Sequence, residues 1–121
     1  MPVLFINSDK KQVFPPGAAA GSAEAVLRAA CVGGARAMGL DDCDDLAPGK
    51  KADLIVIDLQ RPNMQPIHNV SGNLVYAGSK ENVRLTMVNG KILYENGEFF
   101  VGEAPETIYK QANAFVRGLR A

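Results

Sequence analysis

The chain has 121 residues, enough for one domain with its own core. Hydrophobic residues make up 47% and charged residues 21%, the balance of an ordinary globular protein. Thirteen basic residues offset thirteen acidic ones, which argues against nucleic acid or a membrane surface as partner, since both reward a basic excess.

Met1-Pro2-Val3-Leu4-Phe5-Ile6-Asn7 has no basic start and too short an apolar stretch for a secretory leader. No apolar run approaches the roughly 20 residues of a membrane span. A cytoplasmic protein is expected. Val3–Ile6 reads as a short strand. Pro15-Pro16-Gly17 continues no regular element, so residues 1–21 read as an extended or irregular lead. From there to the end, residues 22–121 read as one domain.

Ser22 is a good N-cap and Glu24 suits the first turn of a helix over 22–39, with Gly39 as its stop. Val26, Ala29, Ala30, Gly33, Ala37 and Leu40 fall on one face at helical spacing. Gly33-Gly34 costs roughly 1 kcal/mol per glycine against alanine, so close packing is expected there. Asp41-Asp42-Cys43-Asp44-Asp45 reads as a solvated acidic loop, because it lacks the glycine and closing glutamate of a calcium loop. Leu46-Ala47-Pro48-Gly49 is a turn.

The clearest strand spans about 52–59, with Leu54-Ile55-Val56-Ile57 apolar on both faces, as in a central strand. Pro62 and Pro66 bracket a loop carrying His68, and Asn73–Ala77 is helix or strand by periodicity. Strands at 83–88 and 91–95 flank Asn89-Gly90, and Asn96-Gly97 separates the second from a strand at 98–101. Val83, Leu85 and Met87 should share one face of that meander. Pro105 opens a helix over 105–119, whose stripe is Ile108, Ala112, Phe115, Val116 and Leu119. The fold class is α+β, a small sheet flanked by an N-terminal and a C-terminal helix.

The chemistry-bearing residues are sparse. His68 is the one imidazole; Asn69 and Ser71 beside it make no triad, and a structural histidine is the reading. Cys31 and Cys43 match no CxxC spacing and read as unpaired thiols. One histidine, two separated cysteines and loop carboxylates are a poor set for zinc, which takes three or four convergent ligands. Lys50-Lys51 lacks the upstream glycine of a phosphate loop and reads as the cap of a surface turn. Asp53 and Asp58 read as acceptors of loop N–H groups. No catalytic, cofactor-binding or metal-ligating residue is assigned.

Ala29–Leu40 resembles the last barrel helix of cytosine-deaminase-like amidohydrolases, with Cys31 in place of a threonine common there. Leu46-Ala47-Pro48-Gly49-Lys50-Lys51-Ala52-Asp53-Leu54 resembles their following loop and strand. Pro62–Asn69, Leu74–Ala77 and Val88-Asn89-Gly90-Lys91 are similar to the methylthioadenosine/S-adenosylhomocysteine deaminase branch, which includes the triazine chlorohydrolases. The resemblance covers about residues 22–118. It implies a composite β-sandwich, here a half-sandwich, beside a (β/α)₈ barrel whose histidines and aspartate hold zinc or another divalent metal. Those ligands map to no residue here, Asp9 having the wrong context. The expectation is a truncated amidohydrolase-like protein, inactive alone, with no cofactor of its own and the catalytic barrel absent. Its expected partner is a second copy or a barrel-bearing chain, with Val3–Ile6 available to complete the sheet. The alternatives are a subunit of a split hydrolase and a non-enzymatic, self-associating β-module. The parental reaction implied is metal-assisted attack of water on an amine-bearing ring carbon.

Overall fold

The computed structural model describes residues 3–5 and 22–120. Most of the expected irregular lead, including Asp9 and Pro15-Pro16-Gly17, lies outside the described residues, as does Ile6 at the end of the expected first strand. Strand β1 is Val3–Phe5.

Ser22 opens the first helix by accepting the Ala25 N–H on its hydroxyl at 3.2 Å. The helix runs on without a break as α1 (Ala23–Arg28), a π-helical turn (Ala29–Gly33) and α2 (Gly34–Ala37). Two bonds close its end: the Gly39 N–H donates to the Arg36 carbonyl at 3.0 Å and the Leu40 N–H to the Ala35 carbonyl at 2.9 Å. This is the paired capping pattern in which a residue of positive φ follows the last turn, and Gly39 has φ 72°.

The packing of this helix corrects the sequence reading. Val26, Ala29, Ala30, Gly33, Ala37 and Leu40 are all exposed, and Val32 is the buried residue. A Cβ on Gly33 or Gly34 would lie 3.7 or 3.8 Å from the nearest carbonyl oxygen, an ordinary contact, so no tight approach demands the glycine pair. The reason is which neighbour the helix has. It packs through α1 against α3 (Val70–Ala77), on another side from the small-residue stripe.

Among the described residues the sheet has five strands in the order β1-β2-β3-β4-β5, every neighbouring pair antiparallel. Here β2 is Leu54–Asp58, β3 Val83–Val88, β4 Lys91–Glu95 and β5 Glu98–Phe99. As a strand with neighbours on both edges, β2 buries consecutive residues Val56 and Ile57. It is shorter than 52–59 because the Asp53 N–H turns back to the Lys51 carbonyl at 3.0 Å, while Leu59 leaves the ladder for the core. The last strand ends at Phe99 rather than at 101. On β3 the expected alternation is blurred: Val83 to Met87 are all half-buried, and the register slips between Thr86 and Met87 against β4 and between Val56 and Ile57 on β2.

Both Asn-Gly dipeptides make hairpins. Asn89 and Gly90 have φ 50° and 76°, and Asn96 and Gly97 have φ 48° and 93°. Positive φ at both central residues is the twist that joins adjacent antiparallel strands, and asparagine followed by glycine tolerates it best. Beyond the second turn, Tyr94 and Phe99 face each other across the strands with ring centroids 5.1 Å apart.

The crossover from β2 to β3 builds the core. It contains a 3₁₀ turn at Pro62–Met64, then α3, then a second 3₁₀ turn at Lys80–Asn82. The ambiguous Asn73–Ala77 segment is helical because Asn69 caps it, accepting the Gly72 N–H at 2.8 Å. Ile57, Leu59 and Met64 form the buried cluster, with Ile55, Val70, Leu74 and Val83 packed on it. At the chain end, α4 (Pro105–Leu119) starts on its proline, and residues 106–119 are all exposed.

Candidate functional site

A cavity of about 340 Å³ opens between the helix, the acidic loop and the sheet. Cys31 reaches it from the π-helical turn, Cys43 and Leu46 from the loop, and Leu54, Ile55, Met87 and Val88 from β2 and β3. Asp53 stands at its edge, its Oδ1 accepting the Asn89 N–H at 2.6 Å. That bond fastens the first hairpin turn to the start of β2, as the sequence suggests for this aspartate. The walls are mostly apolar and suit an apolar group.

The two thiols are not activated nucleophiles. Burial pushes the Cys31 thiol above its ordinary value. Burial, followed by the hydrogen bond and negative charge of Asp53, pushes up the Cys43 thiol as well. The Lys51 charge near Cys43 pulls the other way but does not outweigh burial and Asp53.

Asp41 and Asp42 in the acidic loop are exposed, as a solvated run would be, but Asp44 makes the loop a clasp and corrects that reading there. Asp44 is 4% exposed. Arg36 Nε meets its Oδ2 at 3.1 Å, and Lys50 Nζ pairs with its Oδ1. Lys50 also reaches Asp45 at 3.0 Å, and Lys51 pairs with Asp42 at 2.7 Å. The Lys51 N–H donates to the Asp42 carbonyl at 2.7 Å. The helix end, the loop and the approach to β2 are thereby joined. The Lys50 hydrogen bond, helped by Arg36, holds the Asp44 carboxyl below its ordinary value. Lys51 does the same for Asp42. Both lysines are raised in turn, Lys50 by Asp44 and Asp45, Lys51 by Asp42. These charges are spent on one another.

Asp58 is also structural: Oδ1 accepts the Gln60 N–H at 2.9 Å and Oδ2 meets Arg61 Nε at 3.2 Å. His68 is exposed between the first 3₁₀ turn and α3, and Asn69 beside it is occupied in capping. Among the described residues no three His, Cys, Asp or Glu side chains converge as a metal-ligand set. With one histidine in the whole sequence, and that one exposed, the described residues do not fit a zinc centre.

What sequence reasoning missed is an asparagine network under the crossover. Asn82 is 1% exposed. Its Oδ1 accepts from Asn63 Nδ2 at 2.7 Å and from the Ser79 N–H at 2.9 Å, and its Nδ2 donates to the Asp58 carbonyl at 3.3 Å. Asn73 Nδ2 donates to the Met64 carbonyl at 2.9 Å. Ser79 with asparagine three residues later is the local signal that could have shown the capping turn.

Comparison with known proteins gives these features a context. The family model for the amidohydrolase family matches residues 7–93. A 5-methylthioadenosine/S-adenosylhomocysteine deaminase of Nitratidesulfovibrio vulgaris is 49% identical over 77 residues, 64% of this chain and 18% of that protein. One of Desulfitobacterium hafniense is 38% identical over 112 residues, 90% of this chain and 26% of that protein. Among solved structures, an adenosine deaminase of Xanthomonas campestris with bound zinc superposes with TM-score 0.75 at 32% identity, covering 82% of this chain and 23% of that one. An atrazine chlorohydrolase of Arthrobacter aurescens complexed with zinc gives 0.69 at 30% identity, covering 77% and 20%. The chain thus spans about a fifth to a quarter of the length of these relatives. No helix among the described residues is long and apolar enough to cross a membrane.

Proposed function

The chain belongs to the amidohydrolase family, and from that premise we propose that it forms the C-terminal, sheet-bearing segment of a deaminase acting on 5-methylthioadenosine or S-adenosylhomocysteine. Its role is to brace a catalytic barrel whose metal ligands lie on other residues. One observation carries this reading. The small-residue face of α1 and α2, from Val26 to Leu40, is exposed although it is built to be covered. A helix with such a face is ready to lie against a barrel wall. The sheet is then one half of a composite sandwich, with the missing strands supplied from beyond the described residues. The unpaired Cys31 and Cys43 suit the reducing cytoplasm.

On this reading the chain is inactive by itself and gains activity with a barrel-bearing segment, joined to it or separate. The test mixes the purified chain with a family deaminase shortened by the corresponding residues, and follows ammonia release from methylthioadenosine. Activity in the mixture and in neither component supports the proposal. Turnover by the chain alone, or a failure of the two to associate, overturns it.

A further inference from the structure

The two Asn-Gly turns share a dipeptide and a backbone shape, and both are exposed, but their surroundings differ at the atoms that matter for chemistry. At Asn89-Gly90 the backbone is held. The Gly90 N–H donates to the Ala52 carbonyl at 3.0 Å, and the Asn89 N–H to Asp53 Oδ1 at 2.6 Å. At Asn96-Gly97 the side chain is held instead. Arg84, half-buried on β3, donates to Asn96 Oδ1 from Nε at 3.0 Å and from Nη2 at 2.9 Å. Among the described residues nothing accepts the Gly97 N–H. The first turn ties up the backbone nitrogen that follows its asparagine. The second leaves that nitrogen open, next to a carboxamide polarised by a cation.

We propose that Asn96 is a site of spontaneous deamidation promoted by Arg84, while Asn89 is protected. The inference is independent of the enzymatic reading above. The Gly97 nitrogen loses its proton to hydroxide and attacks Asn96 Cγ. A bond forms from that nitrogen to Cγ, the Cγ–Nδ2 bond breaks, and Nδ2 takes a proton from water and leaves as ammonia. The resulting succinimide takes up water, which opens it at either carbonyl to an aspartate or an isoaspartate at position 96. Water is the only co-reactant, and nothing is oxidised or reduced. Glycine permits the attack because no Cβ crowds the nitrogen. In the tetrahedral intermediate negative charge develops on Oδ1, the atom to which Arg84 already donates twice. At the first turn the attacking nitrogen must give up its bond to Ala52, and the Asp53 carboxylate repels the forming anion. The new carboxylate keeps Arg84 as its partner, now in a charge-assisted bond, and adds a negative charge to a chain of zero formal net charge.

The test is peptide mapping by mass spectrometry of the full chain during incubation in mildly alkaline buffer, folded and in urea, with circular dichroism to follow the fold. In the folded chain Asn96 should deamidate roughly tenfold faster than Asn89, the size of a hydrogen bond kept or lost. In urea, where neither turn persists, the two rates should come together. Arg84→Gln should slow Asn96 in the folded chain by a similar factor and leave Asn89 unchanged. Arg84→Lys, which keeps the charge but not the fork of donors, should fall between. Asn89 reacting as fast as Asn96 in the folded chain would overturn the proposal. So would the same preference persisting in urea, which would assign it to flanking residues. An Arg84→Gln chain with a native spectrum whose Asn96 reacts no more slowly would also overturn it, since the guanidinium would then only clamp the side chain. The comparison of the two turns in the unaltered chain stands whatever that variant does to the fold.

Discussion

Met64 in the β2–β3 crossover is 0% exposed, while Phe115 on α4 is 70% exposed. Both are large apolar side chains in well-formed local structure. Met64 sits on a short turn that no local rule would hold in place, and it is fixed by Ile57, Leu59 and the asparagines around it. Phe115 sits on a regular helix whose backbone bonds are satisfied internally, and nothing among the described residues covers it. Order in the crossover therefore comes from distant parts of the chain, whereas order in α4 comes from its own ladder. A lone helix of this length is marginal in water, so α4 needs cover that the crossover already has.

Substitutions should separate the two regions. Met64→Ala removes a fully buried side chain and should cost about 2–5 kcal/mol, a large part of the stability of a domain this size. Urea unfolding followed by circular dichroism measures it. A cost like that of a surface site would mean that the crossover is not the core. Asn82→Ala should come next, at about 1–3 kcal/mol, because it leaves the Ser79 N–H, the Asp58 carbonyl and Asn63 without their buried partner. The same titration reads it. At concentrations where the chain is monomeric, Phe115→Ala should fall within about 0.5 kcal/mol of the parent, the usual range for an exposed position. A larger loss would show that α4 packs on its own chain.

The clasp ahead of β2 makes its own prediction, in pH rather than in packing. Asp42 and Asp44 titrate below 3.8 in the folded chain. Their contribution is complete above 3.8 and is lost as pH falls through the lower folded values. Lys50 and Lys51 titrate above 10.5, so theirs is complete below 10.5 and lost as pH rises through the higher folded values. Thermal unfolding should show a plateau between those limits. Asp44→Asn should lower the plateau and flatten its acid side. An unchanged acid side would mean that Asp44 does not carry the clasp.

Local signals were strong at the ends of elements. Ser22, Pro105 and the two Asn-Gly turns each act on backbone groups within four residues, so a short window of sequence is enough to see them. The aspartate-rich loop was not legible, because Asp44 is paired with Arg36 eight residues before it and Lys50 six residues after it. A run of carboxylates looks alike whether water or lysine neutralises it. The exposed side of α1 and α2 was misread for a related reason. Periodicity finds a small-residue face but does not say whether a neighbour is present to cover it.

The sequence by itself determined the α+β class, the hairpins, the starts of the first and last helices and the kinship to amidohydrolases, since these depend on residue type and close spacing. Tertiary structure alone decided that Asn82 is buried, that the acidic loop is clasped, that Met64 is in the core and that two apolar faces stand open. Those facts depend on which distant groups meet, and the free energy of burying a side chain belongs to the meeting and not to the residue.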